Sequence, residues 1–148
     1  MGTSKMETAL RQEQIAQTAL NIVSTVGLNG LSIAAISERI GLVPSAIYRH
    51  FKSKEEVLDA VIDLIRDRLL GNVGAIYQET SDPIERLKKL LMRHISMIKE
   101  NQGIPRIIFA EDVYENNSGR KEKVYENVKK YLVKVSEIIR QGQEEGRI

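Results

Sequence analysis

Ile33-Ala34-Ala35-Ile36-Ser37-Glu38-Arg39-Ile40-Gly41-Leu42-Val43-Pro44-Ser45-Ala46-Ile47-Tyr48-Arg49-His50-Phe51-Lys52-Ser53-Lys54 is the stretch on which the reading of this chain turns. It divides into helix, tight turn and helix. Ile33, Ile36 and Ile40 recur at helical spacing in the first part, and Ile47 and Phe51 lie four apart on one face in the second. Gly41 falls just past the last apolar position, where a helix ends in a left-handed residue that glycine tolerates best. Pro44 suits the first turn of the next helix, because the N–H it lacks has no intrahelical partner there. Two helices joined by a three-residue turn containing glycine form the helix-turn-helix pattern.

With Ile47 and Phe51 facing inward, Ser45, Tyr48, Arg49 and the adjacent His50 fall on the opposite face or at its edge. Packing alone would be the ordinary use of an aromatic residue and a histidine in a small helical unit. Here the inward face is already supplied, which leaves Tyr48 and His50 free to reach phosphates beside a major groove. Ser53 and Glu56 have the spacing of a capping box for a following helix. Lys54 then stands at a helix N-terminus, a place that favours anions. Ser32 is the N-cap candidate of the helix before the turn. Its hydroxyl caps that helix or meets a phosphate, and both uses are compatible.

The run from Gly41 to Leu58 resembles the DNA-binding signature of the TetR family of bacterial transcriptional regulators: a Gly-Leu/Val turn, Ile-Tyr-x-His-Phe, then Lys-x-Lys-Glu-x-Leu, here with one further residue before the leucine. The resemblance is close over residues 9–60. Beyond residue 80 only the helical character is similar. It implies an all-α fold in which an N-terminal three-helix helix-turn-helix domain, residues 1–53, is joined by a long helix to a helical effector-binding and dimerisation domain, residues 54–148. Ser32, Pro44, Ser45, Ala46, Tyr48, His50 and Lys54 match the family's DNA-facing positions. Ser45 and Ala46 would face base edges, and Ser32, Tyr48, His50 and Lys54 would hold phosphates. The short Ala46 and apolar Pro44 make few base hydrogen bonds, so DNA shape would carry part of the specificity. The implied function is a repressor that binds a palindromic operator as a homodimer and is released by a small-molecule effector. Family members usually continue with two more helices that build the dimer, whereas this sequence stops at Ile148. Either it is part of a longer protein or the dimer forms differently. Without those helices, the C-terminal helices should expose apolar surface.

Composition bounds the reading from outside the motif. The 148 residues are 42% hydrophobic and 28% charged, as in a globular domain with a real core. There are three prolines and no alternating β-branched runs, which argues for helices throughout. The absence of cysteine removes disulfides and thiolate metal sites and fits a reducing cytoplasm. No apolar run approaches the roughly 20 residues of a membrane span. Net charge is only +2, but its distribution is uneven. Residues 1–54 carry six cations and three anions, whereas residues 55–70 carry two cations and five anions. The positive field ends where the helix-turn-helix ends, as expected of a phosphate-facing module. Ordinary mixing on solvated helix faces is the alternative.

In chain order, helices are expected over about 7–26, 33–40, 44–51, 54–78, 83–100, 104–114 and 120–145. Asp82, Pro83 and Glu85 mark the start of the fifth, and Gly71 and Gly74 weaken the end of the fourth. The inward residues of the fifth are expected to be Ile84, Leu87, Leu91, His94, Ile95 and Ile98. The two histidines are far apart, and no metalloprotease, phosphate-loop or serine-hydrolase motif is present. The expectation is a non-enzyme without metal or cofactor. His94, Met97, Phe109, Tyr114 and Tyr125 are candidates to line an effector pocket, with plain core packing as the alternative for each. From a different class, the alternative for the whole chain is a helical ligand-binding or protein-interaction module without specific DNA binding.

Overall fold

The computed structural model describes residues 2–148, with side chains from Ser4 onward. All regular elements among them are helical: α1 (Gly2–Val26), a 3-10 turn (Leu28–Gly30), α2 (Ile33–Ile40), α3 (Pro44–Tyr48), α4 (Lys54–Glu79), α5 (Pro83–Glu100), α6 (Gly103–Ile108), α7 (Glu111–Tyr114) and α8 (Ser118–Glu144). The all-α class expected from the sequence is what the chain adopts. It forms two compact units, one of residues 1–65 and 101–116, the other of residues 66–100 and 117–148.

The first unit is built on apolar stripes at helical spacing. Ile15, Ala19, Ile22 and Val23 of α1, Ile36 of α2, Ile47 of α3, and Val57 and Val61 of α4 are buried. Each fully buried aliphatic side chain contributes about 1.5–3 kcal/mol relative to exposure. Ser32 caps α2 by accepting the Ala35 N–H at 3.0 Å. Gly41 ends α2 in the left-handed region, with φ 79° and ψ 27°. The N–H groups of Gly41 and Leu42 both donate to the Ser37 carbonyl, at 3.0 and 3.1 Å. The buried Ser37 hydroxyl donates in turn to the Leu42 carbonyl at 2.7 Å, closing the turn.

Residues 101–116 group with residues 1–65 in the first unit. The reason is a close approach of α6 to α1. A Cβ on Gly103 would lie 2.6 Å from the Leu20 carbonyl oxygen and 2.8 Å from the Ser24 hydroxyl, so only glycine fits. The Gly103 N–H donates to that hydroxyl at 2.6 Å. Arg106 donates to the Val23 and Ser24 carbonyls near the end of α1, each at 3.1 Å. Ile104 and Ile107 are buried beside these contacts. A single helix over 104–114 was expected. The chain instead breaks at Phe109 and Ala110, where Ala110 is extended, and the Tyr114 hydroxyl donates to the Ile108 carbonyl at 2.6 Å.

In the second unit, Val73, Ile76, Leu90 and Ile138 form the core, with Tyr77, Leu87, Tyr131 and Val135 packed around them. Arg86 closes the loop between α4 and α5. Its guanidinium donates to the Thr80 carbonyl at 2.7 Å and to the Gln141 side-chain oxygen at 2.9 Å, and it lies 4.0 Å over the Tyr77 ring. Gln141 returns a hydrogen bond to the Ser81 carbonyl at 2.9 Å. Asp82 caps α5 by accepting from the N–H groups of Ile84 and Glu85, at 2.8 and 3.1 Å. The buried face of α5 is rotated by one position from the expected one: Leu90 and Met97 are inside, while Leu91 and Ile95 are exposed. On α8, Val128 and Leu132 are exposed together with Tyr125 and Val133.

Candidate nucleic-acid interface

The candidate interface lies in the first unit, and the orientation of its side chains follows from what α3 buries. Ile47 is fully buried and Phe51 nearly so, which fixes the rotation of the helix about its axis. Pro44, Ser45 and Tyr48 are then exposed, and Ala46 is half-buried. Tyr48 is 52% exposed. Arg49 and Lys52 follow as exposed cations. Val43 is extended and supplies the carbonyl that accepts the Ala46 N–H at 3.0 Å, so α3 starts immediately after the turn.

The two flanking helix starts complete the surface. Ser32 is exposed at the N-terminus of α2, and its side-chain oxygen is already engaged with Ala35 N–H. An oxygen in that position retains a donor proton for a second partner. At the start of α4, Ser53 accepts the Glu56 N–H at 3.3 Å, while the Glu56 carboxylate accepts the Lys52 N–H at 2.7 Å. This is a capping box displaced by one residue toward the N-terminus. It holds half-buried Lys54 at a helix N-terminus.

His50 is half-buried, and its surroundings were not legible in the sequence. It joins Ser4, Glu7, Thr8 and Arg11 of α1 in lining a shallow polar depression. Thr8 and Arg11 are therefore neighbours of the candidate surface that the motif alone does not name, because they come from the first turns of another helix. Arg11 donates to the Gln14 side chain at 2.8 Å, which turns its guanidinium along α1.

The five residues expected to line an effector pocket are divided between the two units. Phe109 and Tyr114 are in the first unit, whereas His94, Met97 and Tyr125 are in the second. Phe109 is 82% exposed and Tyr125 63% exposed. Met97 is buried in α5. His94 stacks on Tyr131 with ring centroids 5.7 Å apart, and its Nδ1 lies 3.3 Å from the Tyr131 hydroxyl. Burial raises the pKa of that phenol. The histidine thus has a packing partner and a polar partner, which is the ordinary structural use of such a residue. A cavity of about 550 Å³ does occur in the second unit, lined by other residues of α4 and α8. Among the described residues no cluster of three or more acidic or histidine side chains is placed to hold a metal ion. No helix among them is long and apolar enough to cross a membrane.

Comparison with known proteins agrees with this geometry. Residues 15–61 match the model of the bacterial regulatory proteins of the tetR family. Among curated relatives, the nucleoid occlusion factor SlmA of Photorhabdus laumondii is 29% identical over 122 residues, which are 80% of this chain and 61% of that protein. The SlmA protein of Vibrio vulnificus is 24% identical over 132 residues, or 88% of this chain and 67% of its own length. The chain thus spans roughly two thirds of the relatives it matches. A transcriptional regulator of the TetR/AcrR family from Thermobifida fusca superposes with a TM-score of 0.70 and 28% identity, covering 93% of this chain and 73% of that one. The fatty acid degradation regulator FadR of Bacillus halodurans shares the fold with a TM-score of 0.73 at 24% identity, over 93% of this chain and 70% of its own. With its helix-turn-helix segment and all-helical fold, the chain is similar over residues 15–61 to the bacterial regulatory proteins of the tetR family and shares the fold of these regulators.

Proposed function

We propose that this protein is a transcriptional repressor that binds a palindromic operator as a homodimer and leaves it when a small effector binds. The observation that carries the reading is the α3 surface. Burial of Ile47 and Phe51 turns Ser45 and Tyr48 outward, and Ser32 and Lys54 flank them at two helix N-termini. Ser45 and Ala46 would approach base edges. Ser32, Tyr48, His50 and Lys54 would hold phosphates, with Pro44 shaping the entry of the helix. The apolar residues exposed on α5 and α8 supply surface that self-association would cover. The role is one of binding rather than catalysis, and it belongs in the cytoplasm with the DNA.

The test is a titration of duplex DNA, enriched from a random pool, at several salt concentrations. With two to four cations per half-site and two half-sites, the slope of log K against log salt is expected to be about −4 to −7. A slope near zero would remove DNA from the function and leave a helical interaction module. The curated relatives favour a second reading, a DNA-binding factor of nucleoid occlusion. Mapping bound sites along a chromosome separates the two. Sites beside promoters support the repressor, and many sites away from promoters support the occlusion factor.

A further inference from the structure

We propose that the groove between the second half of α4 and α8 binds a single-chain anionic amphiphile, such as a long-chain carboxylate. This names the chemical class of effector, and its link to DNA release rests on the effector reading above.

The groove lies wholly within the second unit and has a volume of about 550 Å³. That is the range of small-molecule sites. Its lining on α8 runs from Glu126 to Glu137, about 16 Å at the helical rise. A narrow, extended ligand of about that length fits the groove.

Its walls and rim then select the chemistry. Leu70, Val73 and Tyr77 of α4 and Val133 of α8 contribute carbon surface, which suits an alkyl chain and not a free inorganic ion. Arg86 over the Tyr77 ring holds that wall in place before any ligand arrives. Gly74 leaves a side chain out of the same wall: a Cβ built there meets nothing within 4 Å. Lys129, Lys130 and Lys134 edge the groove on α8. Lys134 is paired with Glu137 at 3.3 Å, which leaves Lys129 and Lys130 to face an anionic head group beside Glu126. An apolar trough with cations on one edge is the complement of a chain with one charged end. No residue of α5 lines it, and none of the five aromatic, Met and His residues singled out in the sequence does so.

The experiment is calorimetry of the full chain with dodecanoate and with 1-dodecanol, below the micellar range. Saturable dodecanoate binding, at least tenfold tighter than dodecanol, is expected. Gly74→Met fills the trough and should abolish it, whereas Gly71→Met, exposed on the same helix outside the lining, should not; circular dichroism checks that both fold. Lys129→Gln with Lys130→Gln should lower dodecanoate affinity about tenfold and leave dodecanol unchanged. Absence of saturable binding, or equal affinity in Gly74→Met, overturns the proposal. A DNA titration with and without dodecanoate then separates the two readings. Binding of dodecanoate with unaltered DNA affinity overturns the effector role and still establishes the site.

Discussion

Glycine-to-alanine substitution at three positions should give opposite signs, and the structure supplies the reason for each. At Gly103 the added methyl would lie 2.6 Å from a backbone oxygen of α1 and 2.8 Å from the Ser24 hydroxyl. Neither α1 nor α6 can yield without moving the buried Ile104 and Ile107. Overpacking of this kind costs about 1–3 kcal/mol, and displacing the Gly103 N–H from the Ser24 oxygen costs about 1 kcal/mol more. The lower backbone entropy of alanine offsets roughly 0.5–1 kcal/mol. The net expectation is a loss of about 2 kcal/mol, or a fall in Tm of about 4–8 °C for a chain of this size. At Gly71 and Gly74 the same methyl meets open space within α4, so each substitution should stabilise by about 0.5–1 kcal/mol. Urea unfolding followed by far-UV circular dichroism reads all three. Ser24→Ala removes the shared acceptor, so its combination with Gly103→Ala should cost less than the sum of the two. If Gly103→Ala unfolds within 0.5 kcal/mol of the parent, the close approach of α6 to α1 is refuted, and with it the grouping of residues 101–116 in the first unit.

Three further outcomes are expected. Tyr48→Phe should weaken binding to all duplexes alike, by about 1 kcal/mol, if its hydroxyl meets phosphate; a change confined to one sequence would place that hydroxyl at a base. Gly41→Val should cost about 1–2 kcal/mol of stability through backbone conformation alone, since φ is 79° and no atom crowds the site; unchanged thermal melting would contradict the turn. Glu79 and Asp82 both titrate below the usual carboxylate range. The Glu79 shift comes first from the Lys89 hydrogen bond and then from the charge of Arg93, and that of Asp82 from the Glu85 N–H and Arg147. A depressed folded-state pKa contributes stability above the unfolded value that is lost as pH falls through the folded one. The Tm should therefore drop below about pH 4, and Glu79→Gln should flatten part of that drop in a melting series from pH 2 to 6.

What the sequence determined by itself is everything carried by local periodicity and end chemistry. The isoleucines of α2 and α3, Gly41, Pro44, Ser32 and Asp82 each act through a few neighbours in the chain, so their roles could be read without the fold. The helix-turn-helix and the outward set Ser45 and Tyr48 followed from that. Contacts between distant segments were legible only in the tertiary structure. The need for glycine at position 103 comes from the Leu20 carbonyl, 83 residues away in the chain. Arg86 carried no motif, yet it joins the α4–α5 loop to Gln141. Thr8 and Arg11 became neighbours of His50 only when α1 folded back beside α3. Aromatic and methionine side chains at helical spacing mark an apolar face, but which faces meet depends on how helices cross: on α5, Leu90 and Met97 are buried where Leu91 and Ile95 were expected. Helix periodicity fixes a stripe to within about a third of a turn; packing decides which edge of it is buried.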